Sequence, residues 1–373
     1  MKILVLATDY PDNNENVGSM YIHTRNKHYI ANNIEVTVIN FKSKENYIID
    51  GIDVVTLNHY ENNYEKYDIL LSHAPNLRNH YKFFKKHFKS FENVVLFFHG
   101  HEVLQISKTY PKPFKFMRKS NIVYGKMRDI YDVLKFKIWK QFIKNNITKL
   151  NLIFVSHWIY GKFLENLNID EEIIKPKQKI IYNSIGKLFE INNHQPSIDK
   201  KYDFITIRSN LDGSRYSIDI VTNIAAQNPQ YKFCVIGKGK FFKYYNKPEN
   251  LDWIDKNLSH EEIIKYLNIS KYGLLPTRTD TQGVMACEIA SFMMPLITSE
   301  IDVSNEIFGG FENVAFIDND DKNINIEPII QSLLLSITKE KNEKYFAKNT
   351  IDREIELFRS MNYLRDSCSI EEI

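Results

Sequence analysis

Long apolar runs are missing from this sequence: nothing in its 373 residues approaches the roughly 20 that a membrane-spanning helix needs. Cysteine is almost missing too. Cys234, Cys287 and Cys368 are odd in number and far apart, which excludes a disulfide framework and a regularly spaced metal site. A reducing cytoplasm is the compartment they fit. Glycine is sparse, and no G-x-G-x-x-G follows the first apolar run, so a nicotinamide or flavin enzyme loses its main support. His260-Glu261 has no second histidine at helical spacing, which removes a metal pair there. No internal repeat occurs at a short period. Met1-Lys2 leads straight into the apolar run 3–7, closed off by Asp9, and we expect a first buried strand there rather than a signal peptide.

What the chain does contain is alternation. Its 373 residues exceed one ordinary core, so two domains are expected. Apolar runs at 2–7, 35–41, 53–57, 67–72, 94–98 and 152–155 read as buried strands, with helical stretches at 20–32 and 82–88 among them. Such alternation predicts an α/β fold whose parallel sheets are covered on both faces. Ligands in such sheets collect beyond the C-terminal strand ends, where Asp9, Gly18, His73 and His99 fall. A polar, aperiodic stretch at 186–201 reads as the hinge. A second series follows, with a strand at 204–207 ending at Arg208, a helix at 217–228, and a strand at 231–236 ending in Gly237-Lys238-Gly239-Lys240. Ser259-His260-Glu261-Glu262 has the form of a capping box. Asp318-Asn319-Asp320 lies in a polar run and reads as a turn.

Residues 273–299 carry the most chemistry. A short strand ends at Pro276, a polar loop runs to Gly283, a helix is expected over 284–294, and Pro295 stops it. Gly283 can take φ > 0 or let a ligand reach the backbone. Unpaired N–H groups of Gln282, Gly283 and Val284 at the helix mouth would face an anion. Glu288 lies one turn further in, and Asp280 eight residues before it. A phosphate flanked by two carboxylates suits a nucleotide-sugar.

In this order the residues resemble the retaining family-4 glycosyltransferases of the GT-B architecture. The family's E-G-F-G-x-x-x-x-E, then A-x-x-x-x-P-(V/L)-(V/I)-x-(S/T), is matched in spacing by Asp280 to Glu288, Ala290, and Pro295-Leu296-Ile297-Thr298-Ser299. Asp280, Thr281 and Gln282 replace the first Glu, the Gly and the Phe. Phe98-His99-Gly100-His101-Glu102 is similar to its F-H-G-x-D, and Tyr10-Pro11 with Gly18 partly matches its YP…GG loop. Arg208 stands at the Arg of its G-R-x-x-x-x-K-G turn, Arg215 near the Lys, and Gly237 in its (V/I)-G-x-G turn.

The resemblance implies two Rossmann-like domains facing across a cleft: 1–188 on the acceptor side, 200–349 binding the nucleotide-sugar, and a last helix at 350–373 packed back on the first. It implies transfer of a sugar, with retention, from a nucleotide-diphosphate donor to an acceptor hydroxyl, in bacterial surface polysaccharide biosynthesis. Arg208 and Arg215, with amides 282–284, would neutralise the diphosphate, and Glu288 would hold the ribose. Asp280 would contact the donor-sugar hydroxyls, and His99 the sugar near its anomeric carbon. Gly18, Gly237 and Lys238 would lie against the donor. No metal or other cofactor is implied. A nucleotide-sugar epimerase or an inverting transferase can be built on the same domains. The departures at 280–282 also suit an inactive homologue serving as a partner subunit.

Net charge is only +3, yet between 105 and 150 twelve Lys and Arg face two Asp, interleaved with aromatics. Over 127–144 the spacing predicts a helix, with Ile130, Val133, Leu134, Ile138 and Phe142 near one side. A solvated helix face packed on the first domain is one reading. The other is an amphipathic surface on anionic lipid, which would make a cytoplasmic protein peripheral on the inner face of the plasma membrane. Membrane contact is common in the family. No nucleic-acid motif accompanies the basic residues, so the partners expected are the donor, a glycan or lipid-linked acceptor, and that membrane.

Overall fold

The computed structural model describes residues 1–12, 18–63, 65–117, 122–336 and 340–368. They form two compact units, Met1–Ile106 with Lys126–Ser184 and Ala347–Ile373, and Ser107–Gly125 with Ile185–Phe346.

The first unit is built on eight strands: β1 (Lys2–Ala7), β2 (Glu35–Asn40), β3 (Tyr47–Ile49), β4 (Ile52–Val55), β5 (Ile69–His73), β6 (Asn93–Phe98), β7 (Leu150–Phe154) and β8 (Gln178–Ile180). Their order is β3-β4-β2-β1-β5-β6-β7-β8, parallel throughout except where β3 pairs antiparallel with β4. That hairpin differs from the expected all-parallel sheet. Asp50 and Gly51 both take positive φ, 48° and 76°, the two-residue turn that Asp-Gly favours. Leu57, read as a strand end, instead begins the helix Leu57–Asn62, because the Thr56 hydroxyl accepts the His59 N–H at 3.1 Å and caps it. From β4 onward the order is that of a doubly wound sheet, with its switch point between β1 and β5. The β1 run is buried from Ile3 to Ala7, as a strand covered on both faces should be.

The C-terminal helix Ile351–Cys368 belongs to this unit, where Ile351, Ile355 and Phe358 join the core of Val5, Val38 and Leu71. A buried ion pair fixes it: Arg25 Nε, on the helix Met20–Ala31, lies 3.0 Å from Glu354 Oε1, both side chains fully buried. The Tyr29 hydroxyl donates to the same carboxylate.

The second unit has six parallel strands: β9 (Tyr202–Asn210), β10 (Phe233–Lys238), β11 (Leu251–Ile254), β12 (Ser270–Leu275), β13 (Leu296–Ser299) and β14 (Val314–Ile317). The order β11-β10-β9-β12-β13-β14 is the Rossmann order, which puts the switch point between β9 and β12. Residues 107–125, read with the first domain, fall here because Phe114 joins this core, 5.1 Å from the Phe241 ring and 5.7 Å from that of Tyr245. The stretch 186–201, read as hinge, also lies in this unit and contains the helix Lys187–Ile191.

Removing one partner of a buried ion pair strands the other, at a cost of about 3–5 kcal/mol. Glu354→Ala should lower stability by that order in denaturant unfolding. Arg25→Met with Glu354→Leu should recover most of it.

Candidate functional site

Arg208 lies near the C-terminal end of β9, at the switch point. Its side chain is buried, and Nη2 donates to the carbonyls of Leu275 at 3.3 Å and Pro276 at 2.9 Å, where β12 gives way to the loop. The buried Nε–H has no acceptor among the described residues. Burial pushes the Arg208 pKa below its usual 12.5, against the pull of Asp280 and Tyr216, with Arg215 adding to the fall. The guanidinium remains charged at any ordinary pH.

Arg215 is the second cation. Its guanidinium carbon lies 4.6 Å from the Tyr216 ring centroid and that of Arg208 5.2 Å, so both cations use one aromatic ring. Arg215 also lies 5.7 Å from the Tyr110 ring and donates to the Tyr216 hydroxyl at 2.6 Å. Neither tyrosine carried a signal in the sequence, because the cation–ring geometry exists only after folding. Arg278 is committed elsewhere, pairing with Asp219 at 2.8 and 2.7 Å.

The loop after β12 is tied down at its start. Thr277 N–H donates to Ser299 Oγ at 2.9 Å, its hydroxyl to the Arg215 carbonyl at 3.0 Å, and Asn319 Nδ2 to the Thr277 carbonyl at 2.9 Å. Asn319 sits in the Asp318–Asp320 stretch, which is a turn. Gly283, with φ 72°, caps the helix Val284–Ser291 in the left-handed region open to glycine. This helix ends at Ser291, short of the expected Met294.

Of the three helix-mouth amides, that of Gln282 is turned to Asp280 Oδ1 at 3.4 Å, and Thr281 N–H reaches the same oxygen at 2.8 Å. The expectation of three open amides thus reduces to the next two residues, Gly283 and Val284. Asp280 folds back over the loop while its charge acts on both Arg208 and Arg215. Two cations, one carboxylate and a helix N-terminus make a site with net positive character at the strand ends.

Glu288 is buried on the same helix, and its Oε1 accepts the Gly186 N–H at 3.0 Å with His260 Nε2 at 3.7 Å. Burial raises its pKa above 4.5, while His260 and the Gly186 amide act against the rise. Gly186 and His260, read from the sequence as hinge and as part of a capping box, are the neighbours that hold Glu288. A side chain at Gly186 would come within 2.7 Å of His260, which is the reason for glycine there.

Gly237, at a shift of register in β10, has φ 152°, and a Cβ there would stand 2.0 Å from the Arg208 carbonyl oxygen. Its own carbonyl accepts the Trp253 indole N–H at 3.0 Å. The glycine expected against the donor also lets β10 approach the strand carrying Arg208. Lys238 follows it, exposed.

The remaining candidates belong to the first unit. His99 follows β6, half-buried, with Nε2 at 3.2 Å from His73 Nδ1 and its ring 4.4 Å from that of Tyr21. Burial holds both histidines well below 6.5, helped at His73 by His99 and then Arg25 and at His99 by Arg25, so both are neutral at pH 7. Glu102 closes the His99 turn by accepting the N–H groups of His99 and, at 3.0 Å, Gly100. Gly18 precedes the helix Met20–Ala31, and Ser19, where relatives of the resembled family place glycine, takes φ 59°. Residues 13–17 of that loop lie outside those described. Tyr10 is buried, its hydroxyl 3.0 Å from His23 Nδ1.

Gly237→Ala should cost about 1–3 kcal/mol by overpacking, read as a lowered unfolding midpoint. Gly186→Ala should lower the midpoint by less, because the crowded atoms there belong to the side chains of His260 and Glu288 rather than to backbone.

No protein-family model and no curated protein matches this chain. Solved structures do. Sucrose-phosphate synthase from Thermosynechococcus elongatus is similar with a TM-score of 0.65 at 12% identity, over 99% of this chain and 98% of that one. WaaG, a glycosyltransferase involved in lipopolysaccharide biosynthesis, gives 0.59 at 12% identity over 90% of each chain. The catalytic domain of starch synthase IV from Arabidopsis thaliana, bound to ADP and acarbose, gives 0.58 at 11% identity over 96% and 99%. At these identities the likeness is one of fold, and the fold is the GT-B fold of glycosyltransferases.

Proposed function

We propose that the chain is a retaining glycosyltransferase that takes a sugar from a nucleotide-diphosphate donor and gives it to a hydroxyl of a glycan or lipid-linked acceptor. The observation that carries this is the buried Arg208 Nε–H without an acceptor, beside Arg215 and the mouth of the Val284–Ser291 helix. A diphosphate supplies the missing acceptor and the missing negative charge together. The ADP held by the starch synthase structure fits the same chemistry.

In the proposed reaction the bond from the anomeric carbon to the diphosphate breaks as the bond to the acceptor oxygen forms on the same face. The acceptor proton passes to the departing phosphate oxygen. Arg208, Arg215 and the Gly283 and Val284 amides meet the charge that grows on the leaving group. Glu288, fixed by Gly186 and His260, is suited to accept from ribose hydroxyls, and Asp280 from those of the sugar. The neutral imidazole of His99 suits the hydrogen bond that the resemblance gives it. Gly18 and Lys238 are assigned to the donor by resemblance alone. No step requires a metal, and chelator should leave turnover unchanged.

Screening UDP-, GDP- and ADP-sugars should find one that raises the thermal midpoint, since a ligand at 100 times its Kd adds about 2.7 kcal/mol. Arg208→Ala and Glu288→Ala should abolish the shift. Absence of protection by every activated sugar would overturn the reading. Inversion at the anomeric carbon, or turnover without acceptor, would convert it to an inverting transferase or an epimerase. Because burial raises the Glu288 pKa, donor protection should fade on acidification while pH is still above 4.5. The same burial favours the neutral carboxyl in the fold, so this protonation does not itself unfold the protein. Glu288→Gln should flatten that limb.

We further assign the work to a bacterial surface polysaccharide, on the cytoplasmic side of a membrane that the helix Ile122–Asn146 touches. This helix buries Phe136, Trp139 and Ile143. Of the residues read as near one side of the helix, Ile130, Val133 and Leu134 face outward with Met127 and Tyr131, while Ile138 and Phe142 are half-buried. Met127 is 64% exposed and Ile130 61%. Its inward face carries an ion pair, Asp132 with Lys135 at 2.8 Å. An outward apolar stripe beside Lys126, Arg128 and Lys137 suits an anionic bilayer surface. No helix among the described residues is long and apolar enough to cross a membrane. The protein should co-sediment with anionic vesicles and be released by salt. Ile130→Asp with Leu134→Asp should abolish the binding, and binding unchanged in that variant would overturn the assignment.

A further inference from the structure

Arg215 and Arg278 are joined through their backbones, the Arg278 N–H donating to the Arg215 carbonyl at 2.8 Å. Their guanidinium groups are partnered in opposite ways. Arg278 meets both oxygens of Asp219, at 2.8 and 2.7 Å, which neutralises its charge and occupies two of its nitrogens. Arg215 is half-buried and has no carboxylate within ion-pair distance among the described residues. Its partners are rings, Tyr216 at 4.6 Å and Tyr110 at 5.7 Å from the guanidinium carbon. One nitrogen donates to the Tyr216 hydroxyl at 2.6 Å. An aromatic face attracts a cation without cancelling its charge, and it leaves the N–H edge open.

Tyr216 is the next residue in the chain, whereas Tyr110 comes from a segment far earlier in it. That segment, 107–117, is fastened to the second unit just beyond Tyr110. Phe114 enters the core beside Phe241 and Tyr245. Phe116 stacks on Tyr244, with centroids 4.5 Å apart and planes 7° from parallel. Tyr244 is 61% exposed, so this second anchor lies at the surface. Ser214 Oγ faces the Pro111 carbonyl at 3.5 Å, so the residue before Arg215 meets the residue after Tyr110. The anchors set where the Tyr110 ring stands.

Taking the diphosphate reading of the site as given, we infer that Tyr110 is a positioning residue for the donor. With Tyr216 it holds the Arg215 guanidinium in place and leaves its charge and N–H groups for the diphosphate. A carboxylate at this position would orient the guanidinium as well but cancel its charge, as Asp219 does for Arg278. A small aliphatic side chain would keep the charge and lose the orientation. Arginine gives up rotamer freedom when it grips a ligand, and holding it beforehand removes that cost.

Calorimetric titration of the full chain with UDP, GDP, ADP and inorganic pyrophosphate tests this. At least one should bind, and Tyr110→Ala should weaken it about tenfold at an unchanged thermal midpoint. Tyr110→Phe, which keeps the ring, should bind as the parent does, and Tyr110→Glu should bind more weakly than Tyr110→Ala. Phe116→Ala, which frees the segment at its surface stack, should weaken binding in the same direction. In an Arg215→Ala background, adding Tyr110→Ala should cost nothing further, because Tyr110 acts through that guanidinium. A further loss there as large as in the parent would mean that Tyr110 acts by another route, and would overturn the inference. So would full affinity in Tyr110→Ala, or equal losses in Tyr110→Phe and Tyr110→Ala. Each of these leaves the diphosphate site standing where the parent binds and Arg208→Ala does not. Binding of none of the four by the parent would overturn both.

Discussion

The second unit is organised around a positive charge held out of water at the end of a strand. Burying a guanidinium is costly unless its N–H groups find acceptors. For Arg208 two carbonyls, one tyrosine face and the field of Asp280 meet that cost in part. The neighbouring structure follows. Gly237 is glycine because the Arg208 carbonyl leaves no room for a Cβ. Thr277 is tied to Arg215, Ser299 and Asn319, which sets the course of the loop that supplies the two carbonyls. What the protein leaves unmet is one buried N–H and a surplus of positive charge, and the proposed diphosphate site rests on these two.

The first unit handles buried charge differently. Arg25 is paired with Glu354 and also donates to the Asn183 side chain and the Tyr21 carbonyl, each at 3.0 Å. Its charge then bears on His73 and His99, both held neutral. A neutral imidazole pair can offer and accept hydrogen bonds without attracting an anion. The second unit therefore presents two cations at its strand ends, and the first a pair of neutral imidazoles.

Some of what sequence reading missed was legible in it. Asp50-Gly51 between two short apolar runs is a strong hairpin signal, and the structure has the hairpin there. The helix Ile122–Asn146 was legible only as a helix. Periodicity placed Ile130 and Leu134 near one side but could not say whether that side meets core or solvent. In the fold, Trp139 and Ile143 took the core. Phe114 was one aromatic among many until it met Phe241 and Tyr245.

Sequence by itself determined the alternation of buried runs and helices, hence two parallel sheets covered on both faces, and a Gly283 free to take φ > 0. These are local properties: a period of two or 3.6, or a missing Cβ, acts over a few residues. Only the tertiary structure decided that Tyr216 stands between Arg208 and Arg215, that Gly186 and His260 hold Glu288, and that the Gln282 amide is turned to Asp280. Burial, orphaned hydrogen bonds and electrostatic reach depend on residues distant in the chain, and no spacing along it encodes them.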